Sequence, residues 1–290
     1  MYVIIFLGLA IVPRDAKLDL HLALIGIFGL IYAGGARLFR ARGSDRWAHR
    51  RRIPRRFLTL AAIFGIYFQL RWIIPALHPG NFDPLFHGID NAVFGAPLAA
   101  LLAPYQTTFW VEWFSFFYWT YFYLLGAYVI LHIIFDRDPK HFAVLAFGVV
   151  SLHVLGWSGY FVAPGFGPYD FLGSQLAPLP GGMFLRMSST AYSWGALRDI
   201  FPSLHTAVMT WMALHAIRNW RTHRVYRIIA FPLAFWALQI IIATVYCRWH
   251  YLVDVVAGFL LATIITFVSE PLVRLWGTFR LSSGELDPWF

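Results

Sequence analysis

Apolar stretches long enough to cross a lipid bilayer recur along the whole chain, at 20–39, 57–77, 110–135, 142–163, 202–217, 228–245 and 251–268. A spanning helix needs about 20 mostly apolar residues, because inside hydrocarbon the backbone polar groups have only one another to bond. The pattern therefore predicts an all-α, polytopic membrane helix bundle of about seven transmembrane helices. Composition agrees: 59% of the 290 residues are apolar and only 13% charged, too little charge to coat a soluble surface of this size. High apolar content excludes disorder, and a single cysteine, Cys247, excludes an intrachain disulfide. The opening run 1–12 is short for a span and lacks the basic start and cleavage pattern of a signal peptide, so it reads as an interfacial or half-inserted segment.

A net charge of +9 would suggest nucleic acid in a soluble protein. Here topology accounts for it. With seven spans, all but six of the 23 basic residues fall on one side; the other side keeps Arg14, Lys17, Arg71, Arg186, Arg198 and Arg248. Basic loops stay in the cytoplasm, so the rich side is cytoplasmic and nucleic acid is not needed as a partner. The partner is the bilayer itself, and the sequence leaves the oligomeric state open. Lysine occurs only at 17 and 140, an arginine bias that suits a GC-rich bacterial genome and hence a bacterial cell membrane. The aromatic residues Trp110, Trp113, Trp119 and Tyr121 suit an interfacial belt, with some of them lining helix contacts. Three segments are expected: an N-terminal part with the first span and a basic loop (1–56), a membrane core (57–270) and a cytoplasmic tail (271–290).

Two long segments, 78–109 and 164–201, face the extracytoplasmic side in this topology, and stretch 92–103 fits a short interfacial helix. Ionisable residues at membrane depth are costly, so a convergent set of them marks a site. His205 opens the fifth span, His250 precedes the seventh, and Asp254 lies four residues later on the same helical face. A carboxylate can hold one imidazole nitrogen and leave the other as nucleophile, while a second histidine moves a proton. Helix N-termini also favour phosphate. Pro202 suits a first turn, and Ser203 either caps that helix or donates to a phosphate oxygen. Arg248, Arg198, Arg186 and Arg71 are the candidate phosphate-binding cations. The turn around Gly167 reads either as an anion nest or as a helix-ending turn. His132, His153 and His215 read as interhelix hydrogen-bonding residues rather than metal ligands, and Glu112, Asp83 and Asp90 as capping or loop hydrogen-bonding groups rather than headgroup or cation ligands. Neither metal nor organic cofactor is implied.

The elements Phe201-Pro202-Ser203-Leu204-His205 and His250-Tyr251-Leu252-Val253-Asp254, preceded by the Pro-containing stretch 163–169, resemble the type 2 phosphatidic acid phosphatase superfamily, and within it the inositol phosphorylceramide synthase branch. The likeness extends as a helix pattern over roughly 57–268. It implies a six-helix phosphatase-like core in which His250 is the nucleophile, Asp254 orients it and His205 protonates the leaving alkoxide. Leu204 stands where the phosphatases have Gly before histidine, Ala243-Thr244 replaces Ser-Arg, and the first Lys and Arg motif is absent. The synthase branch relaxes the same elements. The resemblance thus implies a phosphotransferase that passes a phosphorylated headgroup, phosphoinositol in that branch, from a glycerophospholipid to a ceramide-like alcohol through a phosphohistidine. The alternatives are a lipid phosphate or polyprenyl pyrophosphate phosphatase, and a lipid transporter retaining a vestigial triad.

Overall fold

The computed structural model describes residues 16–38 and 48–282. The expectations for 1–12, for most of the basic loop and for the end of the tail lie outside them. Within them the chain is all helical: α1 (Ala16–Leu38), α2 (Ala48–Leu77), α3 (Asp83–Phe94), α4 (Leu98–Leu102), a 3-10 turn (Ala103–Tyr105), α5 (Thr108–Phe135), α6 (Pro139–Val162), α7 (Pro168–Phe171), α8 (Met183–Trp194), α9 (Leu204–Arg218), α10 (Arg224–Tyr246) and α11 (Leu252–Ser282). Local chemistry sets several starts. Thr107 caps α5, Pro139 follows the Asp138 cap of α6, and the Ser203 hydroxyl accepts the Thr206 N–H at the head of α9.

Among the described residues five helices are long and apolar enough to span a membrane, Arg52–Leu77, Thr108–Phe135, Pro139–Val162, Arg224–Tyr246 and Leu252–Ser282, or six if the bent pair Asp83–Phe94 and Leu98–Tyr105 is one span. Two of the seven expected spans fall short of that length and composition. The first expected span has a shorter apolar stretch, Asp19–Gly34, and the fifth is the 15-residue α9, only about 22 Å long. A lipid-facing helix must be long and apolar on its outer face, but α9 packs chiefly against α10 and α11 and also touches α5 and α6. Protein encloses it, so it carries buried Thr206, Thr210 and His215 without facing lipid. Gly258 of α11 makes one contact possible: a Cβ there would lie 2.4 Å from the Ser203 carbonyl oxygen. Outward faces of the long helices are apolar, with Leu131, Phe231 and Phe267 exposed, whereas Leu70, Leu152, Met209 and Ile240 fill the interior.

The ends of α2, α6 and α10 and the starts of α5, α9 and α11 meet at one end of the bundle, tied there by loop contacts. The expected interfacial helix at 92–103 is instead two pieces, α3 and α4 with its 3-10 turn, bent by 58° where Gly95 takes φ +76°. This pair starts and finishes at the same end. Asp83 at its head binds the 166–167 backbone, and the Gln106 amide just beyond it donates to the Tyr246 carbonyl at 2.6 Å. The segment 164–201 also contains α8, which the sequence reading left as loop. The segment boundaries at 56/57 and 270/271 both fall inside continuous helices, α2 and α11.

Candidate active site

The short link between α10 and α11 carries the central histidine. Arg248 takes a left-handed conformation (φ +65°), the His250 N–H bonds back to the Thr244 carbonyl at 2.9 Å, and the chain then enters α11. His250 and Asp254 are 4% and 0% exposed, with Nδ1 and Oδ2 3.4 Å apart. That separation is an ion-pair contact; Nδ1 makes no hydrogen bond, while Oδ2 accepts the Tyr251 N–H at 2.9 Å. The Asp254 carbonyl accepts the Ser203 N–H at 3.0 Å, locking the start of α9 to the first turn of α11.

His205 sits one residue into α9, its ring centroid 6.0 Å from that of His250. Tyr118 stacks on it at 4.3 Å and contacts Nδ1 through its hydroxyl at 3.4 Å; Nε2 is buried without a hydrogen-bond partner. Buried imidazole nitrogens are normally satisfied, so this orphan is a chemical feature of the site. Two small cavities of about 40 and 30 Å³ flank the ring, both lined by Tyr67, Phe122 and Asp199, and the first reaches His250 and Trp249. Tyr121, assigned from sequence to the interfacial belt, is 3% exposed, and its ring lies 4.3 Å from that of His205. It is one of the aromatics that line a helix contact, because α5 turns Tyr118 and Tyr121 inward together. Trp110 and Trp113 are exposed on the outside.

Sequence reasoning missed Asp199 and Tyr67. The Tyr67 hydroxyl donates to Asp199 Oδ2 at 2.8 Å, across 132 residues. Burial raises the Asp199 pKa above the ordinary aspartate range, and the Tyr67 bond opposes that rise. An Asp six residues before His205 was the available signal, but its partner could not be read without helix rotations.

Of the other expected site residues, Ser203 lies at the site as the α9 cap, fully buried, with Thr206 N–H 3.3 Å from its hydroxyl. Three of the four cations are committed elsewhere. Arg248 donates to the Ala177 carbonyl at 2.8 Å and to the Gln106 side-chain oxygen. Arg198 fans across the carbonyls of His78, Pro79 and Gly80, Arg71 donates to the Ser193 carbonyl, and Arg186 is exposed on α8. None of the four lines the two cavities beside His205. The Gly167 N–H and that of Phe166 point to Asp83, at 2.8 and 2.9 Å. The tight turn (φ +86°) lets its Cα lie against the Trp249 carbonyl, where a Cβ would clash at 2.4 Å. Thr244, standing for the missing arginine, turns its hydroxyl onto the Ile241 carbonyl.

The acidic residues behave as cross-links, as the sequence favours. Asp83 also accepts from the Tyr251 hydroxyl at 3.1 Å, Asp90 accepts the Leu252 N–H at the head of α11, and Glu112 accepts three N–H groups at the head of α8. Carboxylates at helix N-termini are favourably placed. Burial raises the Asp90 pKa, opposed by that Leu252 bond. Far from this site, His132 and His215 make the expected interhelix bonds, to Tyr226 and Tyr128, each at 2.6 Å. His153 does not: its Nδ1 bonds the Val149 carbonyl of its own helix at 2.7 Å, one turn back.

Two imidazoles, one backed by a buried carboxylate and the other with a free nitrogen, face each other at the heads of α9 and α11. Such a site can attack a phosphorus centre and shuttle a proton. No curated protein and no solved structure matches the chain. A family model described as the PAP2 superfamily matches residues 85–268, which include all three of these residues and well over half the chain, and the protein therefore belongs to the PAP2 (type 2 phosphatidic acid phosphatase) superfamily of lipid-processing membrane proteins.

Proposed function

We propose that the protein is a lipid phosphate phosphatase acting at the head of the bundle, on a phosphatidic acid-like or polyprenyl pyrophosphate substrate whose tails stay in the bilayer. The observation that carries this reading is the convergence of His205, His250 and Asp254, with one orphaned imidazole nitrogen. Because Asp254 faces Nδ1, His250 attacks phosphorus through Nε2, and the phosphorus–oxygen bond to the lipid breaks. His205 gives its Nε2 proton to the departing oxygen, and Asp254 stabilises the imidazolium character of His250. Water, deprotonated by His205, then attacks the phosphohistidine and releases phosphate.

A second reading, transfer of a phosphorylated headgroup such as phosphoinositol to a ceramide-like alcohol, is favoured by one specific observation. The two cavities beside His205 are lined by aromatic and acidic groups and contain no Arg or Lys. A phosphodiester carries less charge than a phosphate monoester and needs fewer cations. Mixed micelles of dioctanoyl phosphatidic acid, or of phosphatidylinositol with and without a ceramide, separate the readings. Free phosphate from the first supports hydrolysis; acceptor-dependent lipid product from the second supports transfer; neither activity would sink both.

In this reading the site faces the extracytoplasmic side, since basic residues such as Arg137, Lys140, Arg218, Arg221 and Arg224 gather at the opposite end. Impermeant thiol reagents should label Ser174→Cys but not Thr222→Cys in intact cells. Background is low because Cys247 is buried and its thiol is pushed up to about 12 by that burial. The reverse labelling would invert the topology.

A further inference from the structure

A cavity of about 700 Å³, far larger than those beside His205, opens between α6, α9 and α11 at the other end of the bundle. Its depth follows α9: Trp211 and His215 are almost fully buried, whereas Arg218, near the end of the helix, is 38% exposed. Ten residues of helix, about 15 Å, separate His215 from His205, so this is a different place from the phosphorus site. The final turns of α11, which carry Arg274, form the outer wall, and Lys140 contributes from the first turn of α6.

Charge and hydrogen bonding there point the same way. Three cations, Lys140, Arg218 and Arg274, line the cavity against two carboxylates, and both carboxylates are engaged. Glu270 is held between the two arginines, 3.4 Å from Arg218, and Asp138 caps α6 by accepting the Lys140 and His141 N–H groups. Deep in the wall, His215 Nδ1 is 2.6 Å from the Tyr128 hydroxyl, while Nε2 is buried with no partner. With Tyr128 donating to Nδ1, the ring proton sits on Nε2, a donor for an acceptor oxygen. Buried donors are rarely left unpaired, and the volume is that of a small-molecule site.

We infer that this cavity binds a phosphate group, presented by an anionic phospholipid headgroup of the adjoining leaflet or by a free anion. Arg218 and Arg274 hold the phosphate oxygens by charge-assisted bonds, Lys140 adds a point charge at the mouth, and His215 donates from below. The inference does not depend on the chemistry assigned to His250.

The test uses the full chain purified in detergent, with dioctanoyl phosphatidylglycerol and inorganic phosphate as probes and binding read by native mass spectrometry and calorimetry. Wild type and H205A/H250A should bind the lipid alike. K140Q/R218Q/R274Q should weaken binding about tenfold or more, the loss expected when charged hydrogen bonds go, and K140R/R218K/R274K should restore it. All three positions are partly or largely exposed, so the replacements leave the core intact. Competition by inorganic phosphate identifies a free-anion site, and its failure to compete identifies a headgroup site. Unchanged binding in the glutamine variant, no rescue by the charge-preserving variant, or loss only in H205A/H250A overturns the inference.

Discussion

Replacing Asp254 by asparagine isolates the charge that backs His250. Nδ1 and Oδ2 are 3.4 Å apart and both residues are almost fully buried. At an effective dielectric of about 20, a full imidazolium–carboxylate pair at that distance is worth about 5 kcal/mol. Charge only partly develops on the imidazole in the transition state, and an amide dipole recovers a little, which leaves a loss of about 3 kcal/mol, or roughly 10²-fold in rate. The fold should survive, because the amide oxygen can still accept the Tyr251 N–H that Oδ2 accepts at 2.9 Å. The assay is phosphate release from dioctanoyl phosphatidic acid in micelles, with kcat and KM measured separately. The loss should appear in kcat, since the carboxylate does not line the cavities beside His205. A loss smaller than about threefold, or one confined to KM, would refute the reasoning.

Other consequences follow from named contacts. His205→Ala should impair a natural lipid phosphate, whose alkoxide leaves as a strong base, far more than p-nitrophenyl phosphate, whose leaving group needs little protonation; equal losses in the two assays would make His205 a binding group. Asp83→Ala strands the Phe166 and Gly167 N–H groups and the Tyr251 hydroxyl, so unfolding in detergent should show a loss of about 3–5 kcal/mol, and a loss below about 1 kcal/mol would remove its cross-linking role. Burial raises the Asp199 pKa, so the native state holds this proton to higher pH than the unfolded chain. Its contribution to stability is therefore full below the ordinary aspartate range and declines as pH rises through the raised value. Asp199→Asn should flatten the part of the thermal-stability profile that falls as pH rises above the ordinary aspartate range, and an unchanged slope would contradict the assignment.

That His205, His250 and Asp254 lie together at adjoining helix heads was legible in the sequence, because charge at helix ends inside an apolar chain is costly enough to stand out. Ser203 was legible because a hydroxyl just before a helical run has one local use as a cap. The all-helical class followed from the length of the apolar runs. Individual span lengths did not, because α9 is enclosed by protein and escapes the length and polarity limits that lipid imposes on α5 or α10. The arginines lie outside the cavities beside His205 for a related reason: a guanidinium near a site in sequence can satisfy itself on any nearby carbonyl, as Arg198 does on three. The Tyr67–Asp199 bond and the Tyr118 and Tyr121 rings around His205 depend on helix rotations, which the chain's all-round apolar helices do not encode in their periodicity. Helix α8 was hidden between glycines at 181, 182 and 195, which read as loop signals and are in fact its borders.

The central claim is that His250 carries the phosphoryl group during turnover. Protein mixed with phosphate-labelled dioctanoyl phosphatidic acid, quenched in base within one turnover and mapped by mass spectrometry, tests it most directly. The account predicts an acid-labile, base-stable phosphate on His250, absent in His250→Ala and accumulated in His205→Ala with an activated substrate, since His205 is needed to activate water in the second step. Phosphate on another residue, or turnover with no covalent phosphoenzyme at any time, would contradict it.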